Sequence, residues 1–226
     1  MTTTDIATWK ARELPTRTNI KGRTVRLEPV SAEAHAEALF DAAHGEGHDP
    51  GLWDYLAYGP FDDVAQMRSW LVDRAASEDP LFYAVVDVAT GLAVGMVSYL
   101  RIDPTYGVIE IGHIWFGKTL QRSRGATEAI FLLSRNAFDT LGYRRLEWKC
   151  NNDNARSKRA ADRFGFSFEG IFRQHMITKG KNRDTAWFSI IDGEWESIRD
   201  GFERWLADEN FDSDGRQRLS LVEARG

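Results

Sequence analysis

One cysteine, Cys150, is all that the 226 residues contain. No internal disulfide can form, which suits a reducing cytoplasm, and the chain is expected there. The longest apolar run, Leu81–Val86, has six residues. A membrane-spanning helix needs about 20, so no membrane span is expected. Residues Met1 to Lys10 lack a basic start followed by an apolar stretch, so no secretory signal is expected. Cations are outnumbered, 29 Lys and Arg against 34 Asp and Glu, for a net charge of −5. That balance excludes broad electrostatic capture of nucleic acid. There is no internal repeat and no low-complexity block. Neither G-x-G-x-x-G nor G-x-x-x-x-G-K-S/T occurs, which leaves a nucleotide-binding α/β domain without its usual fingerprint.

Bulky apolar residues are plentiful, with eight Trp and thirteen Phe. They supply surface for a sizeable core, and the length suits one domain with trimmings. Residues 1–18 read as a polar N-terminal arm. Residues 19–209 read as the domain. The charged, weakly periodic residues 210–226 read as a frayed tail.

Between the termini, helix and strand patterns alternate. Thr24 to Pro29 reads as a half-buried strand. Ser31 can cap a helix through Ala34, Ala38 and Leu39. Asp63 with Gln66 forms a capping box for a second helix. Phe82–Val88 and Ala93–Arg101 are two strands joined by a short Gly-containing link, and Val108–Phe116 is a third. A helix over about 127–141 is stopped by Gly142. A strand over 145–150 and a helix over 154–164, ended by Gly165, follow. Residues 166–169 and 186–191 read as the last two strands, and 195–206 as an amphipathic helix. This order predicts a mixed α/β sheet with helices on its faces, not a uniform βαβ array.

Two segments carry chemistry. In the stretch EIGHIWFGKTLQRSRGATE, Glu110–Glu128, a strand ends in a basic loop that opens a helix. Helix starts present unpaired N–H groups and partial positive charge, an arrangement that binds phosphate. Arg122 and Arg124 would add charge there, and Ser123 and Thr127 would add hydroxyl donors. An ordinary basic turn has about equal weight. In the second segment, Asn154 and Ser157 stand at the start of a helix that ends in Gly165-Phe166. Plain capping is the competing account of both residues.

Together the segments resemble the GNAT acyltransferases. Gln121, Ala126, Thr127, Glu128 and Ala129 match that family's pyrophosphate loop, and Asn154, Ser157, Gly165 and Phe166 match the helix that follows. Glu169, Gly170 and Arg173, with Asp184 ahead of the last strand, are similar to the branch of ribosomal-protein N-terminal acetyltransferases (RimJ/RimL-like). The resemblance spans about residues 20–207. Arg124 departs from it, standing where the family loop usually has glycine.

The resemblance implies a single GNAT-like α/β (α+β) domain, with a mixed, mostly antiparallel sheet and helices on both faces. It implies acetyl transfer from acetyl-CoA, or another acyl-CoA, to a primary amine by direct attack. The cofactor would lie between strands 108–116 and 145–150. Backbone groups of Ile114, Trp115 and Phe116 would pair with its pantetheine arm. Gln121, Arg122, Ser123, Arg124, Gly125, Ala126 and Thr127 would hold the diphosphate, with Asn154 and Ser157 beside it. The tyrosine acid of some relatives falls at Ala161, so Ser157 becomes the candidate acid. His175 and Glu110 are the candidate bases. His113 ranks below them, on the face opposite Glu110 by strand alternation.

No metal is implied: His44 and His48 sit among helix-breaking Gly45, Gly47 and Pro50. Trp53, Tyr55, Tyr58 and Phe61 could line the acceptor pocket or pack the core. The acceptor would be a protein N-terminus or a small-molecule amine, and the negative net charge leans toward cationic ones. The arm and the C-terminal helix could support a homodimer. A catalytically inactive acyl-CoA-binding sensor is the alternative reading.

Overall fold

The computed structural model describes residues 4–226. The unbroken apolar run lies in β3 (Leu81–Asp87). A strand of that kind belongs inside a sheet covered on both faces. Strand β3 is third in an eight-stranded sheet, flanked by β2 (Val25–Pro29) and β4 (Ala93–Asp103). The remaining strands are β1 (Ile20–Lys21), β5 (Val108–Phe116), β6 (Arg145–Asn151), β7 (Ser167–Thr178) and β8 (Lys181–Ile191). Their order is β1-β2-β3-β4-β5-β6-β8-β7. Every pairing is antiparallel except β5 with β6. The expected mixed, mostly antiparallel sheet is therefore present.

Helices α3 (Arg124–Arg135), α4 (Ala155–Phe164) and α5 (Asp192–Leu206) pack on one face, over Tyr83, Tyr99, Ile109, Leu146 and Ile190. Helices α1 (Ala32–His44) and α2 (Val64–Ala76) pack on the other, over Phe82, Ala84 and Met96. Among the described residues, none from β6, β7 or β8 joins that second cluster. The same face of those three strands is left without a helix, and it can carry charge.

Strand β5 changes facing partway along. Ile109 and Ile111 point to the α3 side, and so do Ile114 and Phe116, while Trp115 joins the α1–α2 side. One extra residue is absorbed at His113, whose φ is +50. The pairing jumps there from Ser98–Gly112 to Met96–Trp115. This is a β-bulge, which re-aims the residues after it.

Three segments differ from the sequence reading. Helix α3 starts at Ser123, whose hydroxyl accepts from the Ala126 amide, and it closes in a π-turn over Asn136–Thr140. The last two strands form one long hairpin turning at Lys179-Gly180, both left-handed, with φ of +48 and +73. Such turns match the twist of hairpin strands.

The C-terminal residues do not fray. Leu221 and Ala224 bury one side of a short helix, α6 (Leu221–Arg225), capped by Ser220 and Glu223. Asn210 donates to the Trp205 and Leu219 carbonyls. Charged neighbours masked this pair of apolar anchors. The N-terminal arm is strapped down as well: Arg12 N–H donates to the Pro104 carbonyl, and Tyr143 O–H to that of Glu13.

Candidate active site

The site begins where β5 and β6 part. Their parallel pairing covers only Val108–Ile111 against Arg145–Trp148. Beyond it, β5 follows β4 through Phe116, while β6 follows β8 through Asn151. The sheet thus splits, with Gly112–Phe116 on one lip and Lys149–Asn151 on the other. The β5 lip carries Ile114, Trp115 and Phe116, whose edge toward β6 is unpaired beyond Ile111.

Below the split, the loop after β5 turns into α3. The side-chain amide of Gln121 donates to the Phe116 carbonyl at 2.9 Å, which ties the loop to the strand end. Backbone amides of Leu120, Gln121, Ser123 and Ala126 find acceptors within the loop. Those of Arg122, Arg124 and Gly125 have none there, and they stand at the positive end of α3. Left-handed backbone falls at Arg122 (φ +58), while Arg124 is already helical. The missing family glycine therefore costs nothing in backbone strain. Gly125 is needed for a different reason, because a Cβ there would meet Val25 at 2.8 Å.

Three expectations for this loop are corrected. Arg124 does not reach toward a ligand. Its guanidinium donates to the Leu206 carbonyl and to Asp208, and lies over Phe211. It fastens the end of α5, because the first turn of α3 packs beside that helix. The Ser123 hydroxyl is spent on the cap, donating to the Leu120 carbonyl at 2.7 Å. Thr127 is buried and accepts from Arg163 at 3.0 Å. Of the two arginines, Arg122, which is exposed, is the one left at the loop.

Helix α4 begins at the other lip. Asn154 caps it, accepting from the Ser157 amide at 3.0 Å, so its side-chain oxygen serves the helix. The Ser157 hydroxyl accepts from the Trp148 indole N–H at 2.9 Å. With that acceptor role filled, its own proton is available to a neighbour. Cys150 lies beside it, and burial pushes the thiol up, opposed by Ser157. Cys150 is a buried, free thiol.

The uncovered face carries a run of charge. Lys149 Nζ lies 2.9 Å from Glu110 and 2.6 Å from Glu147, and 3.8 Å above the Trp187 ring. Arg145 then bridges Glu147 and Glu169 at 2.8 and 2.7 Å. Glu110 Oε2 is buried and makes no aligned hydrogen bond, although Lys149 and Arg101 stand close. Burial raises its pKa, against the pull of Lys149.

His175 shares this face. A wide irregularity in β7, where Phe172–Met176 opposes only Arg183–Thr185, carries its ring back over the sheet. Its Nδ1 is 3.0 Å from Thr185 Oγ1, and the ring sits beside Phe172 and Trp187. Burial and the charges of Arg101, Arg183 and Lys149 lower its pKa, which favours the neutral imidazole. Glu110 and His175 thus belong to one cluster, joined through Lys149 and Trp187.

His113 was expected on the face opposite Glu110. The bulge brings it to the same one, against Tyr58 and Phe82. Burial first, then Arg74, Arg101 and Arg183, push its pKa down to about 4.

The segment between α1 and α2 closes this end of the site. Trp53, Tyr58 and Phe61 pack with Trp70 and Trp115. Tyr55 O–H donates to the Asp153 carbonyl, and Asp49 pairs with Arg156 of α4 at 2.6 Å. From the other side, Lys179 Nζ donates to the Trp53 and Gly59 carbonyls, both at 2.9 Å. His44 is occupied within this cluster, with Nδ1 near the Phe40 carbonyl and Nε2 accepting from the Phe61 amide.

Sequence reasoning missed Lys149, Arg101, Arg183 and Trp187. A signal for Lys149 was there: Arg145, Glu147 and Lys149 alternate with Leu146, Trp148 and Cys150. That pattern marks a charged strand face.

A sheet split between its two parallel strands, with a bare helix start beneath, defines an acyltransferase scaffold. Residues 24–167 match the acetyltransferase (GNAT) domain. A GCN5-related N-acetyltransferase from Brucella melitensis is 49% identical, covering 97% of this chain and 99% of that one, with a TM-score of 0.95. YdaF of Bacillus subtilis (strain 168), a candidate ribosomal N-acetyltransferase by name, is 27% identical over 76% of this chain and 93% of its own. The microcin C7 self-immunity acetyltransferase MccE, solved with acetyl-CoA and AMP, shares the fold at 23% identity. Its TM-score is 0.66, over 75% of this chain and 93% of that one.

The chain belongs to the GNAT acetyltransferase family. It is an enzyme of acyl transfer from acyl-CoA. The YdaF match supports the RimJ/RimL-like resemblance.

Proposed function

We propose that the protein transfers an acetyl group from acetyl-CoA to a primary amine, which attacks directly in a ternary complex. The observation that carries this reading is the split beyond Ile111–Trp148. Its lips bring Ser157 to one side and the Glu110–Lys149–His175 cluster to the other. The acetyl-CoA in MccE, a relative in fold, supports the choice of donor.

Acetyl-CoA supplies an activated thioester. The free amides at Arg122, Arg124 and Gly125, with the Arg122 side chain, would hold its diphosphate. The β5 lip at Ile114–Phe116 would bind the arm by backbone pairing. An acceptor ammonium must lose a proton before it can attack. His175, its pKa held down by burial and by its cationic neighbours, accepts it, while Glu110, paired with Lys149, completes the cluster. Ser157, its acceptor role filled by Trp148, relays to the departing thiolate the proton that the attacking nitrogen sheds as the amide forms, and so ends as the hydroxyl it began. The acceptor is a small-molecule amine or a protein N-terminus, and the site of action is the cytoplasm.

Thiol release from acetyl-CoA, measured across a panel of amines and N-terminal peptides, tests the reading. An acid limb in kcat/KM is expected below the ordinary histidine range, and His175→Gln should remove it. Tight acetyl-CoA binding with no turnover on any acceptor would favour the inactive sensor instead.

A further inference from the structure

We propose that the acceptor amine carries a carboxylate, and that Arg183 binds it. The inference rests on the acyl-transfer reading above and extends it to the substrate class.

Arg183 lies on the uncovered face, in alternation with Thr185 and Trp187 on β8. Its Nε donates to Thr185 Oγ1 at 3.2 Å, the same hydroxyl that meets His175 Nδ1 at 3.0 Å. The guanidinium is therefore next to the candidate base. It is half-buried, and among the described residues no carboxylate lies within 4 Å of it. Its neighbours differ: Lys149 has two carboxylates, Arg145 has two, and Arg101 has Glu110. Removing a guanidinium from water without an anion is costly, and four of its N–H groups remain to be satisfied.

A second cation faces the same place. Arg74 on α2 keeps Nε buried without a hydrogen-bond partner, and its one nearby acid is the adjacent Asp73 at 3.8 Å. Arg74, Arg101 and Arg183 come from three different elements, and their charges converge on His113. Among the described residues, Glu110 is the one acid from another element that pairs with any of these three guanidinium groups, and it pairs with Arg101. The acceptor end is thus locally cationic in a chain of net charge −5. That reverses the expectation of a cationic acceptor. A planar guanidinium with free N–H groups fits a carboxylate in bidentate fashion.

Two sources share this chemistry: the α-carboxylate of a free amino acid, and an acidic side chain near a peptide N-terminus. Matched acceptors separate them. Alanine is compared with alaninamide, and the amide of Ser-Asp-Ala with that of Ser-Asn-Ala, in acetyl-CoA turnover. In at least one pair the carboxylate member should be favoured roughly 10- to 100-fold in kcat/KM, the range for hydrogen bonds to a charged group, mostly through KM. Arg183→Gln should erase the preference, and Arg183→Lys should restore part of it, since lysine keeps charge without the fork. Calorimetry of the same compounds with the full-length enzyme and CoA provides a readout without turnover. Carboxylate amines should bind the wild type and not Arg183→Gln, with CoA affinity equal in both. Equal use of the neutral partners, a preference that survives in Arg183→Gln, or no Arg183-dependent binding overturns the inference. Turnover without preference sinks this inference and leaves acyl transfer standing. Arg183-dependent binding with no turnover does the reverse.

Discussion

Lys149 holds its ammonium 2.9 Å from the Glu110 carboxylate, and neither side chain is more than 6% exposed. The pair sits in the floor of the site. Lys149→Met should leave Glu110 and Glu147 without their buried cation, with only Arg101 and Arg145 at their more exposed ends. Losing one partner of a buried pair typically costs roughly 3–5 kcal/mol. Urea unfolding at pH 7 measures this, and a loss under 1 kcal/mol would show that the pair is well hydrated.

Glu110→Gln should move stability the other way. Burial raises the Glu110 pKa above the ordinary carboxylate value of 4.5 despite Lys149. A carboxyl with a raised folded pKa favours the fold in its protonated form, so its ionisation costs stability as pH rises through the folded value. The glutamine variant should therefore be more stable than the wild type at pH 7. The gain should vanish below about pH 4.5, where the carboxyl is protonated in both states. Thermal unfolding across that range checks the sign.

Arg122 and Arg124 should separate cleanly. Arg124→Ala removes hydrogen bonds to Leu206 and Asp208 and should lower stability by about 1–2 kcal/mol, with CoA affinity unchanged. Arg122→Ala should leave stability unchanged and weaken CoA binding several-fold, less so at high salt, where an exposed charge is screened. Calorimetric titration with CoA decides between them. Weaker binding in the Arg124 variant would return that side chain to the diphosphate.

Ser157→Ala should cut kcat by roughly 100-fold or more if its proton goes to the leaving thiolate, as for other general acids. The loss should shrink with donors whose thiol leaves more readily. A uniform loss across such donors would limit Ser157 to capping and packing.

The fold was legible because apolar periodicity and caps agree. Ser31, Asp63 and Asn154 each accept from a backbone amide three residues on, as their sequence positions imply. Much of the long hairpin was not legible, because residues 173–185 are mostly polar and alternate weakly; only Lys179-Gly180 marks the turn. His113 was misplaced because strand alternation carries no warning of a bulge. Arg124 was misread for a different reason. A basic residue at a helix start invites a phosphate, but its partner Asp208 is 84 residues away in sequence. Glu128 shows the same blindness: matched only as a motif letter, it accepts from the amides of Arg23, Thr24 and Val25. It fastens β2 to α3 across about a hundred residues.

The Lys179 contact gives the segment between α1 and α2 an asymmetric fastening. Its two acceptors are main-chain carbonyls, so neither bond is made to a side chain of the loop. The chemical identity of that clasp therefore resides in a single ammonium at the hairpin tip. Drift in the opposite loop can reshape the room within while the latch stays fastened.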